Sequence, residues 1–281
     1  MSQRLIGLIT VWSEANTLLK YAQVDTVTTH SQARLHRGHL AGRPVAVAAV
    51  GPGKVHTAAI TQHLIDHYNV GLMVSCGSAG ALAPHLQVGD VILVDTVTLH
   101  DAGLYVNGNF QYLGIYDNSQ PGRLRYHRAL LADPALLAVA RQTALNMTWP
   151  HQPPAIETGG LVSGDQVIAD DVKKQWLRDT FNALAVEMET GAMAHVAFLN
   201  NIPWLAVRAI SDSADASLNI DPKHLITYSD DPQPLLTQLR QTITVAQKPS
   251  RLITALKIRR GIRTAATHAA RVTADIITQI A

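Results

Sequence analysis

Cysteine is almost missing from this 281-residue sequence, and with Cys76 as the one thiol an internal disulfide is excluded. Aromatic residues make up 5% and charged residues 16%, while 47% are apolar. That balance is too apolar for a disordered chain and supplies ample material for a core. No apolar run reaches the roughly 20 residues that cross a bilayer, so no membrane span is expected. The opening MSQRLIGLITVW lacks a basic segment, apolar stretch and small-residue cleavage site in series, and a cytoplasmic location is the expectation. Most of the chain also lacks a basic face. Lys248–Ala281 holds seven basic residues and one acid, whereas residues 1–247 hold 16 basic and 20 acidic ones. Nucleic acid is therefore not expected as a partner.

What is present is a series of short apolar runs, each closed by Gly, Pro, Asp or Ser, as buried parallel strands are. The runs at Leu5–Val11, Val45–Val50, Gly71–Cys76, Val91–Thr98, Gly160–Ser163, Ala183–Met188 and Trp204–Ile210 predict strands. Helical patterns fall between them, at about Lys54–Tyr68, Arg128–Asn146, Ala169–Phe181, Glu189–Asn200 and Pro232–Val245. The alternation predicts an α/β fold, a layered sandwich around a mixed, mostly parallel twisted sheet. Gly103–Gln120 reads as a long irregular excursion, and no internal repeat is found.

In such sheets ligands bind beyond the strand ends, so the residues just after each run carry the chemical interest. Gly51-Pro52-Gly53-Lys54 follows a strand and opens a helix, but lacks the remaining features of a dinucleotide loop or a P-loop, and a tight turn explains it as well. Cys76-Gly77-Ser78-Ala79-Gly80 fits either a plain turn or a loop whose backbone approaches a flat ligand. His63 and His67 share a helical face without a third ligand, so no metal is expected there and they read as solvated surface histidines. Glu187-Met188-Glu189 places two carboxylates beside a methionine, suited to a sugar diol against an apolar wall; Glu189 also suits a helix N-terminus. Arg208-Ala209-Ile210-Ser211-Asp212 puts a charged pair on a buried strand, where charges need partners, and a purely structural ion pair stays open.

Taken in order, these stretches resemble the 5′-methylthioadenosine/S-adenosylhomocysteine nucleosidase family of the purine nucleoside phosphorylase superfamily. Ile6-Gly7-Leu8-Ile9, Gly51-Pro52-Gly53-Lys54-Val55, Gly77-Ser78-Ala79-Gly80-Ala81-Leu82 and Val88-Gly89-Asp90-Val91 carry the first part of the resemblance. His100-Asp101, Val162-Ser163-Gly164-Asp165, Ala185-Val186-Glu187-Met188-Glu189 and Arg208-Ala209-Ile210-Ser211-Asp212 carry the rest, over about residues 4–245.

The resemblance implies a nucleoside phosphorylase-like fold and a cofactor-free hydrolysis of the N-glycosidic bond of an adenine nucleoside. It implies that Asp212 protonates the leaving base and that Glu189 holds the ribose hydroxyls and helps stabilise the cationic sugar, with Met188 beneath it; Glu187, the other carboxylate of the pair, is expected to be substrate-binding as well. Ser78, Ala79 and Gly80 match the loop near water and base, Arg208 the residue that helps hold the water, and Val167 and Ile168 the adenine-binding pair. The family has an aromatic residue at the first of that pair, so Val167 implies altered stacking. Phosphorylases of the superfamily carry an arginine two residues before the strand-end glycine; Ser75 stands there instead, which favours water over phosphate as acceptor. Ungapped alignment puts Ala15 at the position of the water-activating acid, with Glu14 one residue earlier, so a phosphorylase or a catalytically silent nucleoside-binding homologue remains the alternative. A homodimer is implied, with about Leu104–Leu113 completing the partner's 5′ pocket. Residues 1–247 are expected to form the main domain, with 248–281 a basic helical extension packed on the body or on a second subunit.

Overall fold

The computed structural model describes residues 4–117, 119–120, 122–216 and 249–280, with side chains of the last segment described from residue 256. The first strand, β1 (Leu5–Val11), is buried along nearly its whole length and runs into a short helix, α1 (Trp12–Leu18). Three antiparallel strands follow, β2 (Ala22–His30), β3 (Ala33–Leu40) and β4 (Arg43–Val50), then α2 (Lys54–Tyr68) and the long β5 (Val70–Ala81). Next come β6 (Val91–Leu99), the small strands β7 (Gly103–Val106), β8 (Asn109–Tyr112), β9 (Ile115–Asp117), β10 (Arg125–His127) and β11 (Leu130–Leu131), and α3 (Pro134–Asn146). The chain continues through β12 (Ile156–Ser163), α4 (Asp171–Phe181), β13 (Ala183–Glu187), α5 (Thr190–Leu199) and β14 (Trp204–Asp212) to α6 (Pro249–Gln279).

The expected α/β architecture is present. Strands β4, β1, β5 and β14 are parallel neighbours, as are β6, β12 and β13. Two antiparallel seams, β14 on β6 and β13 on β5, join the two groups, so that β5, β14, β6, β12 and β13 close into a ring. Alternation along β1 sends Leu5 and Ile9 to one core with Ile60 and Leu64 of α2 and Met193 and Ala197 of α5. Ile6 and Leu8 face the other core, with Leu137 and Ala140 of α3 and Ala265, Ala269, Val272 and Ile276 of α6. Helices thus cover both faces of the sheet.

Several expectations change. Residues 22–40 form an antiparallel pair that the apolar-run criterion passes over, because the side chains of β2 are exposed and its Ser31-Gln32 turn has positive φ (44° and 67°) without the Asn-Gly signature of such turns. Residues 103–120, expected as irregular, contain the β7–β8 hairpin around Asn107-Gly108 and strand β9. The helix expected from Arg128 begins at Pro134: Asp133 accepts the Ala135 and Leu136 N–H groups (2.9 and 3.0 Å) and caps it, while Leu130 and Leu131 pair with β6. His63 stacks on His30 (centroids 3.6 Å apart) instead of standing free in solvent. The helix expected at 232–245 and the boundary expected at 247–248 lie outside the described residues. Among the described residues no helix is long and apolar enough to cross a membrane.

Candidate active site

The ends of β1, β5, β13 and β14 surround a cavity of 330 Å³, within the size range of small-ligand sites. Ser78, Ala79 and Gly80 of β5 form one wall. Glu187, Met188 and Glu189, where β13 turns into α5, form a second, and Asp212 at the end of β14 a third. Val167 and Ile168 line it from the loop after β12; Ile168 is buried, while Val167 is 67% exposed. Of the eleven residues singled out in the sequence, ten therefore line one cavity; the eleventh, Arg208, lies behind the wall and is 1% exposed.

Glu14 rather than Ala15 reaches this cavity, whereas Ala15 packs in the interior at 3% exposure. Glu14 Oε2 accepts the Ser78 backbone N–H at 2.9 Å, and Oε1 accepts the Ser78 hydroxyl at 2.5 Å. Burial pushes the Glu14 carboxyl above its ordinary range, and the Ser78 hydroxyl and the Arg208 charge only partly oppose this. Gly77 makes the arrangement possible: a methyl group there would lie 2.6 Å from Arg208 Nη1 and 2.7 Å from Glu14 Oε2.

Arg208 organises the acids. Its guanidinium pairs with Glu187 Oε2 (2.5 Å), lies 3.9 Å from Glu189 Oε2, and donates to Ser75 Oγ (2.7 Å), Thr190 Oγ1 (2.8 Å) and the Ser78 carbonyl (3.3 Å). Glu187 Oε2 also accepts the Glu189 and Thr190 N–H groups (2.9 and 2.8 Å), which fixes the start of α5. Glu189 Oε1 accepts the Gly53 N–H at 3.0 Å. Burial, reinforced by the neighbouring Glu187 charge, raises the Glu189 carboxyl despite Arg208. Asp212 Oδ2 accepts the Ser211 hydroxyl (2.6 Å) and Oδ1 the Ala214 N–H (2.9 Å), so both its oxygens are oriented. Four carboxyl groups, those of Glu14, Glu187, Glu189 and Asp212, line this one small cavity, a setting suited to moving protons and holding hydroxyls.

Sequence reasoning missed part of the apolar wall. Ile258 and Ile262 of α6 line the cavity beside Val11 and Ala214. Their spacing of four residues puts them on one helical face, a signal that says only that this face packs against something.

The phosphorylase superfamily model matches residues 6–255. The 5′-methylthioadenosine/S-adenosylhomocysteine nucleosidase of Tolumonas auensis is 33% identical over 215 residues, 74% of this chain and 86% of the relative. That of Staphylococcus aureus strain RF122 is 30% identical over 243 residues, 84% of this chain and all of the relative. In structure, the nucleosidase of Neisseria meningitidis in complex with methylthio-immucillin-A superposes with a TM-score of 0.73 at 23% identity, covering 99% of this chain and 100% of that one. Fold and cavity together thus define a member of the phosphorylase superfamily. Within it, the chain belongs to the 5′-methylthioadenosine/S-adenosylhomocysteine nucleosidase family.

Proposed function

We propose that the protein hydrolyses the N-glycosidic bond of an adenine nucleoside such as 5′-methylthioadenosine or S-adenosylhomocysteine, releasing adenine and the ribose derivative. The observation that carries this reading is the Glu14 carboxyl pinned against Ser78 on the cavity that Glu189 and Asp212 also line. Asp212 gives its proton to N7 of adenine as the bond to C1′ breaks and the base leaves with the electron pair. Glu189 accepts hydrogen bonds from the ribose 2′- and 3′-hydroxyls and offsets the positive charge that develops on the sugar. Water forms the new bond to C1′ and gives its proton to Glu14. Met188 supports the sugar, Ser78, Ala79 and Gly80 flank the water and base, and Val167 and Ile168 contact the adenine. Arg208 is a positioning residue, because it touches the acids and not the cavity.

Water is favoured over phosphate because Ser75, at the position of the phosphorylase arginine, is fully buried and held by Arg208 and Thr190, with no contact to the cavity. The test is adenine release from methylthioadenosine, S-adenosylhomocysteine, adenosine and AMP, each with and without phosphate. Release without phosphate is expected; a strict phosphate requirement overturns the reading in favour of a phosphorylase.

The working unit is a homodimer, a reading supported by the exposed apolar side chains of Leu104, Tyr105, Val106 and Leu113 on and beside the β7–β8 hairpin, which a second copy would bury. Sedimentation at micromolar concentration is expected to give a dimer, and a monomer overturns this part. A cytoplasmic setting accords with one buried thiol, Cys76, whose pKa burial pushes up to about 12.

A further inference from the structure

Three of the sequence stretches noted above have no part in the chemistry just described: Lys54 after the Gly-Pro-Gly turn, the His100-Asp101 pair, and Asp165 after Ser163-Gly164. The fold brings their charged members together. Lys54 Nζ donates to both oxygens of Asp101 (2.7 and 2.6 Å). Asp101 Oδ2 also accepts the backbone N–H of Asp165 at 3.0 Å. The circuit closes where Asp165 Oδ1 accepts the backbone N–H of Lys54 at 2.8 Å. The three residues come from three places: the start of α2, the turn after β6, and the loop between β12 and α4.

Each arm of the circuit ends at the cavity. Lys54 follows Gly53, whose N–H holds Glu189 Oε1. Asp165 precedes Gln166, Val167 and Ile168, which line the cavity on the base side. Beneath the circuit, His100 is fully buried and its backbone N–H donates to the Ser163 carbonyl at 3.1 Å, so the turn bearing Asp101 is tied to the end of β12. The side chains of Lys54 and Asp101 are 26% and 15% exposed, partly shielded from water, and charge-assisted hydrogen bonds there outweigh ordinary surface pairs. Burial alone raises the Asp101 carboxyl, yet the Lys54 ammonium and the Asp165 N–H outweigh it and hold the group below its ordinary range. The Asp101 carboxyl therefore stays ionised across the neutral range.

We propose that Lys54, Asp101 and Asp165 are positioning residues, a closed clasp that sets the separation between the diol-holding Glu189 and the base-contacting Val167–Ile168 loop. The assignment of those two ends rests on the nucleosidase reading. The clasp itself ties together the start of α2, the turn after β6 and the loop after β12. A nucleoside spans both ends at once, so loosening the clasp weakens binding of the whole substrate and leaves Asp212 and Glu14 in place for whatever fraction does bind.

The test compares wild type with Asp101→Asn, Lys54→Met, Lys54→Arg and the Lys54→Met/Asp101→Asn double variant. It follows amide hydrogen exchange at 164–170, kcat and KM for methylthioadenosine, and Tm. Losing one charge-assisted link is expected to speed exchange at 164–170 and raise KM, each about tenfold, while kcat changes by less than about threefold. The double variant is expected to be no worse than either single one, because both break the same circuit, and Lys54→Arg is expected to restore most of the loss. Lys54→Met keeps the Asp165 link to Asp101, so it serves where Asp101→Asn fails to fold. Unchanged exchange, or an unchanged KM with only kcat or Tm affected, overturns the proposal. If wild type cleaves no nucleoside, the nucleosidase reading fails, and exchange in the variants alone decides the clasp.

Discussion

Both oxygens of Glu14 are bound to Ser78, one to its hydroxyl at 2.5 Å and one to its backbone N–H at 2.9 Å. This pairing joins the helix after the first strand to the end of the fifth and holds a buried carboxyl on the cavity. It also lowers the pH at which that carboxyl loses its proton, against the effect of burial. Burial drives its pKa upward, and the Ser78 hydroxyl is the largest influence opposing that. Ser78→Ala removes the opposing bond and keeps the backbone one, so Glu14 ionises at higher pH. The acid limb of the kcat/KM profile is expected to move to higher pH, with a greater loss of rate at pH 6 than at pH 8. An acid limb that stays in place contradicts the assignment of Glu14 to that limb.

Asp212→Asn keeps the size of the side chain and removes the proton donor. Turnover is expected to fall at least about 10²-fold with nucleoside binding retained, since general acid catalysis supplies about 10²–10⁴-fold. Calorimetry and single-turnover rates measure the two separately, and an unchanged rate rejects the mechanism.

Glu189→Gln separates function from stability. An amide accepts the ribose hydroxyls less strongly than a carboxylate does, so affinity and rate both fall. Stability moves the other way. The carboxyl pKa is raised in the folded protein, so the native state holds its proton longer than the unfolded chain does, and ionisation destabilises the fold as pH rises above the ordinary carboxylate value of 4.5. The neutral glutamine does not incur this, and Arg208 keeps Glu187 as its partner. In thermal melts the variant is expected to gain Tm relative to wild type between pH 5 and pH 8, the values being chosen to lie about the raised pKa. A relative loss of Tm over that interval counts against a desolvated Glu189.

Arg208→Met tests the buried cation. It strands Glu187 and Glu189 without their shared counter-charge, and breaking a buried pair in this way costs about 3–5 kcal/mol. Chemical denaturation is expected to show a loss of that order; a loss below about 1 kcal/mol, the level of a surface pair, contradicts the central place given to Arg208.

The strands and the strand-end residues were legible because each is a local pattern: a buried run ended by a small or acidic residue. Ser78, Glu189 and Asp212 could be singled out for that reason, and the sheet then brought them together. Four features were not legible. Glu14 and Ala15 differ by one position, which on a helix turns the side chain by about 100°, and ungapped alignment cannot say which of them faces the cavity. The partners of Arg208 come from β5, β13 and α5, and nothing in the sequence around residue 208 names them. Ile258 and Ile262 approach Asp212 only through the docking of α6 across the sheet, a contact between segments more than 40 residues apart. Strand β2 escaped because an exposed strand shows little apolar pattern.

The most direct test of the account is adenine release from methylthioadenosine in phosphate-free buffer, measured in single turnover for wild type, Glu14→Gln and Ala15→Glu side by side. The account predicts turnover by wild type without phosphate, a loss of at least about 10²-fold in Glu14→Gln, and no gain in Ala15→Glu. Equal rates in wild type and Glu14→Gln, with a faster Ala15→Glu, would contradict it.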